Sequence, residues 1–373
     1  MIIKNARIFD SSFELVKKDI LIEGGKITDI SDCIDGDDVR DFSGCVVMPG
    51  FIDVHTHACR GFDMTDGSAA SVNEMSVYLA ENGVTSFCPA SMTLPESQLK
   101  KAFENTAAVK GNENGAYIHG INMEGPFISA ARKGAQSEEY IVPPDFDMFS
   151  RLNAVCDIKL AAVAPETQGA DEFIKAAKEI CAVSLAHTQA DYDTAMRAFS
   201  LGANHVTHLF NAMPPLLSRA PGVVGAAFDS ENVYCELICD LIHISPAVLR
   251  AAFKVLGEDR TVVISDSMAA AGLGDGEYSL GGQKVFVKGG RATLADGTVA
   301  GSTTNLFSEF GNLLSIGIPL KQAVKSCTIN PAKSINVHNE TGSIEKGKNA
   351  DLLITYEDFS EIKAVYIKGK KFN

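Results

Sequence analysis

Phe51-Ile-Asp-Val-His-Thr-His57 is a run of β-formers that ends in two imidazoles, and its reading decides the fold. Side chains alternate faces along a strand, so His55 and His57 share a face at its C-terminal end. Seven further apolar runs follow, at 84–90, 118–124, 159–165, 183–188, 205–211, 233–242 and 261–266. Between them, segments 68–82, 95–110, 171–180, 191–201 and 245–256 carry apolar spacing of helical period behind polar starts. Eight strands alternating with helices predict an α/β fold built as a closed (β/α)8 barrel.

Outward from the barrel the pattern turns β-rich. Residues 1–9, 19–23 and 26–30 read as short strands, with Gly24-Gly25 as a turn, and residues 350–356 and 362–368 read the same way. Neither end can bury a core alone. The expected organisation is a composite β-sandwich from 1–48 and 336–373 around a catalytic barrel at 49–335. A β-hairpin insertion near 275–300, with its strands within 283–294, is expected over the barrel mouth.

The 373 residues carry 33 basic and 47 acidic groups, a formal charge of −14, with 46% hydrophobic and 21% charged residues. That balance excludes a disordered tail, a coiled coil and a basic nucleic-acid binder. Nine cysteines, an odd number without repeated Cys-x-x-Cys spacing, argue against a disulfide framework and for a reducing cytoplasm. Cys235 and Cys239 are two thiols in an apolar run, Val-Tyr-Cys-Glu-Leu-Ile-Cys, where cysteine packs as a small hydrophobe. The N-terminus lacks an apolar signal core, and no stretch reaches the about 18 apolar residues of a membrane helix, so a soluble protein without membrane partners is expected.

Active sites of such barrels lie at the C-terminal ends of the strands. Reading those ends in turn gives His55 and His57, Glu124, His187, His208, His243 and Asp266. Imidazole nitrogens with carboxylate oxygens form the donor set of a divalent ion such as zinc or iron, with room for water. One or two ions per subunit are expected. His119 and His205 open strands at the opposite face, His338 lies near the terminal β segment, and none receives a role. Lys159 begins its strand and cannot bridge two ions from the far end, which leaves Glu124 as the available bridging carboxylate. No Gly-x-Ser-x-Gly elbow and no phosphate-cradling loop of the Gly-x-x-x-x-Gly-Lys-Ser/Thr type occurs.

The first-strand motif, Pro49 to His57, resembles that of the amidohydrolase superfamily. Narrower motifs follow: Met123-Glu-Gly-Pro-Phe-Ile, Val206-Thr-His-Leu-Phe-Asn-Ala-Met-Pro, Arg219-Ala-Pro-Gly and Val263-Ile-Ser-Asp-Ser-Met-Ala-Ala-Ala-Gly. Together they resemble the N-acetylglucosamine-6-phosphate deacetylase family along nearly the whole chain. The resemblance implies hydrolysis of the N-acetyl group to glucosamine 6-phosphate and acetate, in amino-sugar catabolism and cell-wall sugar recycling. It implies that Glu124, His187 and His208 hold the principal metal, while His55 and His57 allow a second, shared through Glu124 and approached by Asp266. Asp266 is placed to take a proton from water and return it to the departing amine.

By the same resemblance, Asn211 and Ala212 meet the substrate and Arg219 and His243 its phosphate end. The latter two can enter a neighbouring subunit's site, which implies a homodimer. Gln136 stands where some relatives carry a histidine for the acetyl carbonyl, so carbonyl activation is expected to rest more on metal. The alternatives are N-acetylgalactosamine-6-phosphate deacetylation, which differs at one hydroxyl, or another amidohydrolase reaction on an amide. Retention of every expected ligand and of Asp266 argues against a non-catalytic binding protein.

Overall fold

The computed structural model describes residues 1–372. The strand Phe51–Thr56 pairs in parallel with Val84–Pro89, which pairs with Tyr117–Ile118. A second parallel sheet runs in chain order through Ile121–Met123, Ile158–Val163, Ala182–Leu185, His205–Val206, Tyr234–Ile238 and Thr261–Ile264. The two sheets meet at both edges. Ala90 bridges Asn122 in parallel, and the Asp266 N–H donates to the His55 carbonyl at 2.9 Å. These strands are buried almost throughout, with polar residues such as Asp53, Thr85 and Ser86 buried along with the apolar ones.

Each strand anticipated between 51 and 266 is present, with shifted ends. The third is interrupted where Gly120 crosses the neighbouring strand: a Cβ there would lie 2.4 Å from the Asp157 carbonyl oxygen. The sixth is cut to two residues because the chain leaves extended geometry before His208, whose φ is 30°. The five anticipated helices are Ala69–Glu81, Glu96–Val109, Ala170–Ala177, Tyr192–Leu201 and Pro246–Leu256. Asp191 caps the fourth by accepting the Thr194 N–H at 2.8 Å. Others were harder to read. Gly222–Asp229 carries two glycines and almost no polar face, so propensity and period both understate it.

Strands from both chain ends pair with one another. Leu352–Tyr356 runs antiparallel to Cys45–Pro49 within a six-stranded sheet, and a four-stranded sheet is built from Lys26–Ser31, Asp19–Glu23, Ile2–Lys4 and Val39–Asp41. Ile3, Ile20, Val47, Leu352 and Ile354 belong to one apolar cluster drawn from these sheets, separate from the main core. The insertion has three antiparallel strands, Gly276–Leu280, Gln283–Lys288 and Arg291–Thr293, one more than the hairpin expected.

Behind this framework lies a buried acid. Glu309, on the helix Leu306–Ser315, is fully buried and neither side-chain oxygen has a hydrogen-bond partner among the described residues. Burial, with the nearby Asp240 charge, pushes its carboxyl well above the usual range. The folded state therefore holds a proton that the unfolded chain releases, and stability falls as pH rises above the ordinary carboxyl range. Glu309→Gln should melt higher than the parent at about pH 8, with the gap closing toward about pH 5. Equal melting temperatures at both values would remove Glu309 as the source of that dependence.

Candidate metal centre

The strand ends converge on a cavity of about 350 Å³. Glu124, His187, His208, His57 and Asp266 line it, together with Gln136, Asn211, Ala212 and His243. His55 is fully buried beside His57, their Nε2 atoms 3.2 Å apart. The insertion forms part of the wall through Leu280, Thr298 and Val299, and the Gln283 amide donates to the Ala135 carbonyl. Three of the inward groups, His187, His208 and Asp266, have positive φ values of 44°, 30° and 46°. Such conformations cost about 1–3 kcal/mol each for residues other than glycine. They turn the chain sharply as it leaves each strand.

Two groups of three side chains offer ligand atoms at mutual separations within 4.8 Å: Glu124 with His187 and His208, and His55 with His57 and Asp266. Glu124 lies between them. Its Oε1 is 3.2 Å from His187 Nε2, 3.0 Å from His208 Nε2 and 3.4 Å from His55 Nε2, and its Oε2 is 3.4 Å from His57 Nε2. Asp266 Oδ1 lies 3.1 Å from His57 Nε2.

The outer ring nitrogens show which face of each imidazole is free to coordinate. His187 Nδ1 donates to the Arg132 carbonyl at 2.9 Å and His57 Nδ1 to the Ala90 carbonyl at 3.2 Å. A carbonyl accepts only, so each Nε2 can turn a lone pair toward the centre. His55 Nδ1 meets Glu236 Oε2 at 3.0 Å with the same effect. His208 Nδ1 has no partner among the described residues. Inward imidazole nitrogens around ionised carboxylates fit a divalent cation.

The electrostatics keep both carboxylates ionised and hold a proton on His55 that an ion must displace to bind there. Burial would raise the Glu124 carboxyl, but His55, His187 and His208 hold it well below the usual range. Asp266 is likewise lowered against burial, by its bond to His57 and the neighbouring imidazoles. Burial would lower the His55 imidazole, yet Glu236 and Glu124 raise it to about 10. The carboxylates are therefore charged at neutral pH.

The anticipated contact residues Arg219, His243 and Gln136 have different surroundings. Arg219 is exposed and does not line the cavity; it sits in a turn where Leu217 and Ala220 exchange backbone hydrogen bonds at 3.2 Å. His243 lines the cavity of its own chain, with Nδ1 2.8 Å from Asp240 Oδ2. Gln136 is in the cavity wall, but its amide is engaged with protein groups. It donates to Glu124 Oε2 and accepts the Thr93 N–H at 2.7 Å.

Other participants were not found from sequence. Glu236 is the single charge in the run Val-Tyr-Cys-Glu-Leu-Ile-Cys, whose two cysteines are buried in the main core. Arg132 also lines the cavity, and its buried Nε has no hydrogen-bond partner among the described residues. Its place in the wall and its unpaired Nε, neither visible in sequence, distinguish it from Lys133, which follows and does not line the cavity.

A model of the amidohydrolase family matches residues 46–371. The N-acetylglucosamine-6-phosphate deacetylase of Bacillus subtilis (strain 168) is 38% identical over 326 residues, covering 84% of this chain and 81% of that protein. The Homo sapiens protein of the same name is 32% identical over 387 residues, covering 98% and 94%. The solved N-acetylglucosamine-6-phosphate deacetylase from Pasteurella multocida superimposes with a TM-score of 0.92 at 31% identity, over 99% of this chain and 98% of that one. That from Mycobacterium smegmatis, in complex with N-acetyl-D-glucosamine-6-phosphate, gives 0.93 at 27%, over 100% and 99%. With its strand ends, its paired ligand groups and this similarity taken together, the chain belongs to the amidohydrolase family.

Proposed function

We propose that this protein hydrolyses N-acetylglucosamine 6-phosphate to glucosamine 6-phosphate and acetate, as a cytoplasmic metal-dependent enzyme of amino-sugar catabolism and cell-wall sugar recycling. The observation that carries this reading is the placement of Glu124 between two ligand groups at the floor of one cavity, with Asp266 in its wall. Glu124, His187 and His208 would hold one zinc or iron ion, and His55, His57 and Asp266 a second. When bound, a divalent ion supplies a lowered water pKa and polarises a carbonyl. Asp266, ionised at neutral pH, takes a proton from the attacking water and delivers it to the amide nitrogen. The C–N bond breaks, the new C–O bond yields acetate, and the amine leaves protonated.

Asn211 and Ala212 position the sugar, and His243 faces its phosphate from the same chain. Arg219, exposed on its turn, completes the phosphate end of a partner's site in a homodimer. Gln136 acts chiefly by steadying Glu124, which leaves carbonyl activation to the ion. The architecture we infer is a closed eight-stranded barrel at 49–335 flanked by a β-sandwich from 1–48 and 336–373. Two sheets that touch at both edges and a shared terminal core support it. Among the described residues no helix is long and apolar enough to cross a membrane, in keeping with a cytoplasmic setting.

Acetate release tests the reaction. N-acetylglucosamine 6-phosphate should be cleaved faster than N-acetylgalactosamine 6-phosphate and far faster than unphosphorylated N-acetylglucosamine; no acetate from either phosphosugar would overturn the proposal. Asp266→Asn should lower kcat by about 100-fold or more while the Glu124 group keeps its ion, read by mass spectrometry of bound metal. Near-normal turnover would exclude Asp266 as the proton carrier. Gln136→Ala should lower kcat/KM by about tenfold, and unchanged kinetics would mean that the Gln136 contact to Glu124 contributes nothing.

A further inference from the structure

Glu236 lies on the strand Tyr234–Ile238, at full burial, among residues the proposed chemistry does not use. Its two oxygens face different groups. Oε2 accepts from His55 Nδ1 at 3.0 Å and from the backbone N–H of His208 at 3.1 Å. Oε1 lies 3.1 Å from His205 Nε2, off the line of a hydrogen bond. The Glu236 backbone carbonyl also accepts the Leu209 N–H at 2.8 Å.

One carboxylate oxygen thus touches both halves of the ligand set. It grips the His55 ring from behind, so that Nε2 must be the nitrogen turned to the centre. It also holds the backbone of His208 at a residue whose φ of 30° few side chains adopt. His55 has no other described hydrogen-bond partner for Nδ1. His208, by contrast, is met only at its backbone N–H, while its ring makes no hydrogen bond with Glu236. Loss of Glu236 should therefore fall more heavily on His55.

Resting on the metal reading above, we propose that Glu236 is a positioning residue that orients His55 and so governs occupancy of the His55–His57–Asp266 ion site, with His205 as the buried group backing its other oxygen. Carboxylates behind a ligating imidazole fix its tautomer and increase its basicity, and their removal costs about 10–100-fold in metal affinity. Glu236→Gln keeps the volume and one acceptor but removes the charge, so the lower end of that range is expected.

The test loads the parent, Glu236→Gln and Glu236→Asp with zinc, dialyses each against graded chelator, and counts zinc per chain by mass spectrometry. Circular dichroism and melting of the metal-free proteins report the fold. The parent should retain two ions. Glu236→Gln should release one of them at about tenfold lower chelator concentration, with the second released as in the parent and the metal-free spectrum unchanged. Glu236→Asp keeps the charge but falls short of the ring, and should show the same ordered loss; it decides the matter if the glutamine variant does not fold. A purely structural role would shift metal-free melting without changing the order of release. Release of both ions at the parent's chelator concentrations, or equal weakening of both, overturns the proposal. A parent that binds fewer than two ions overturns the two-ion reading along with it.

Discussion

The constraint on which the rest of the site depends is the burial of the Glu124 carboxylate among four imidazoles. All four present Nε2 within 3.4 Å of it. A carboxylate this deeply buried, with 2% of its surface exposed, needs compensating groups on every side, because an unpaired buried charge costs several kcal/mol. The imidazoles supply that compensation, and they must arrive from three different strands. The parallel arrangement brings them together because every strand in such a sheet delivers its C-terminal end to the same rim.

Delivery alone does not aim the side chains. His187, His208 and Asp266 leave their strands through positive φ, a geometry that the chain maintains only because neighbouring groups hold it. The Arg132 carbonyl anchors His187, Glu236 anchors the His208 backbone, and His55 and Asp266 are joined by a backbone hydrogen bond. The strain and the anchors belong together. A site assembled from strand ends reaches its geometry by bending the chain where the strands stop, and the outer hydrogen bonds keep that bend in one conformation.

The parts legible in sequence were those whose signal is local. Periodic apolar runs marked the strands, and six of the seven acidic or imidazole groups at their ends fall into the two ligand groups. The seventh, His243, faces the same cavity. What stayed hidden depends on contacts between distant segments. Glu236 meets His55 across 181 residues of chain, and Gln136 is committed to Glu124 and Thr93 in a way that its amide chemistry alone does not disclose. His205 opens a strand, which is the stable face by position, yet its ring approaches Glu236 in the buried interior. The strand Tyr234–Ile238 looked like a cysteine-bearing hydrophobic run, and its one charge proved to be the informative residue. A lone acid in an otherwise apolar buried strand has to be paired, and the imidazoles of His55 and His205 are the groups beside it.

The net charge of −14 does not oppose the proposed binding of a phosphosugar, because distance and screening separate the two. Exposed charges more than about 8 Å apart are largely screened at physiological ionic strength. Many acidic residues are already matched at the surface, as in the Glu96–Arg151 pair at 2.7 Å and the Asp259–Lys325 pair at 2.7 Å. Within the cavity the balance is different. Glu124 and Asp266 face imidazoles, and Arg132 stands in the wall without an ion pair among the described residues. A phosphate entering this space meets the local field of a few nearby groups rather than the sum over the chain. The polarity of the cavity is thus set by which charges remain unmatched inside it, a property of the fold that no count of acidic and basic residues contains.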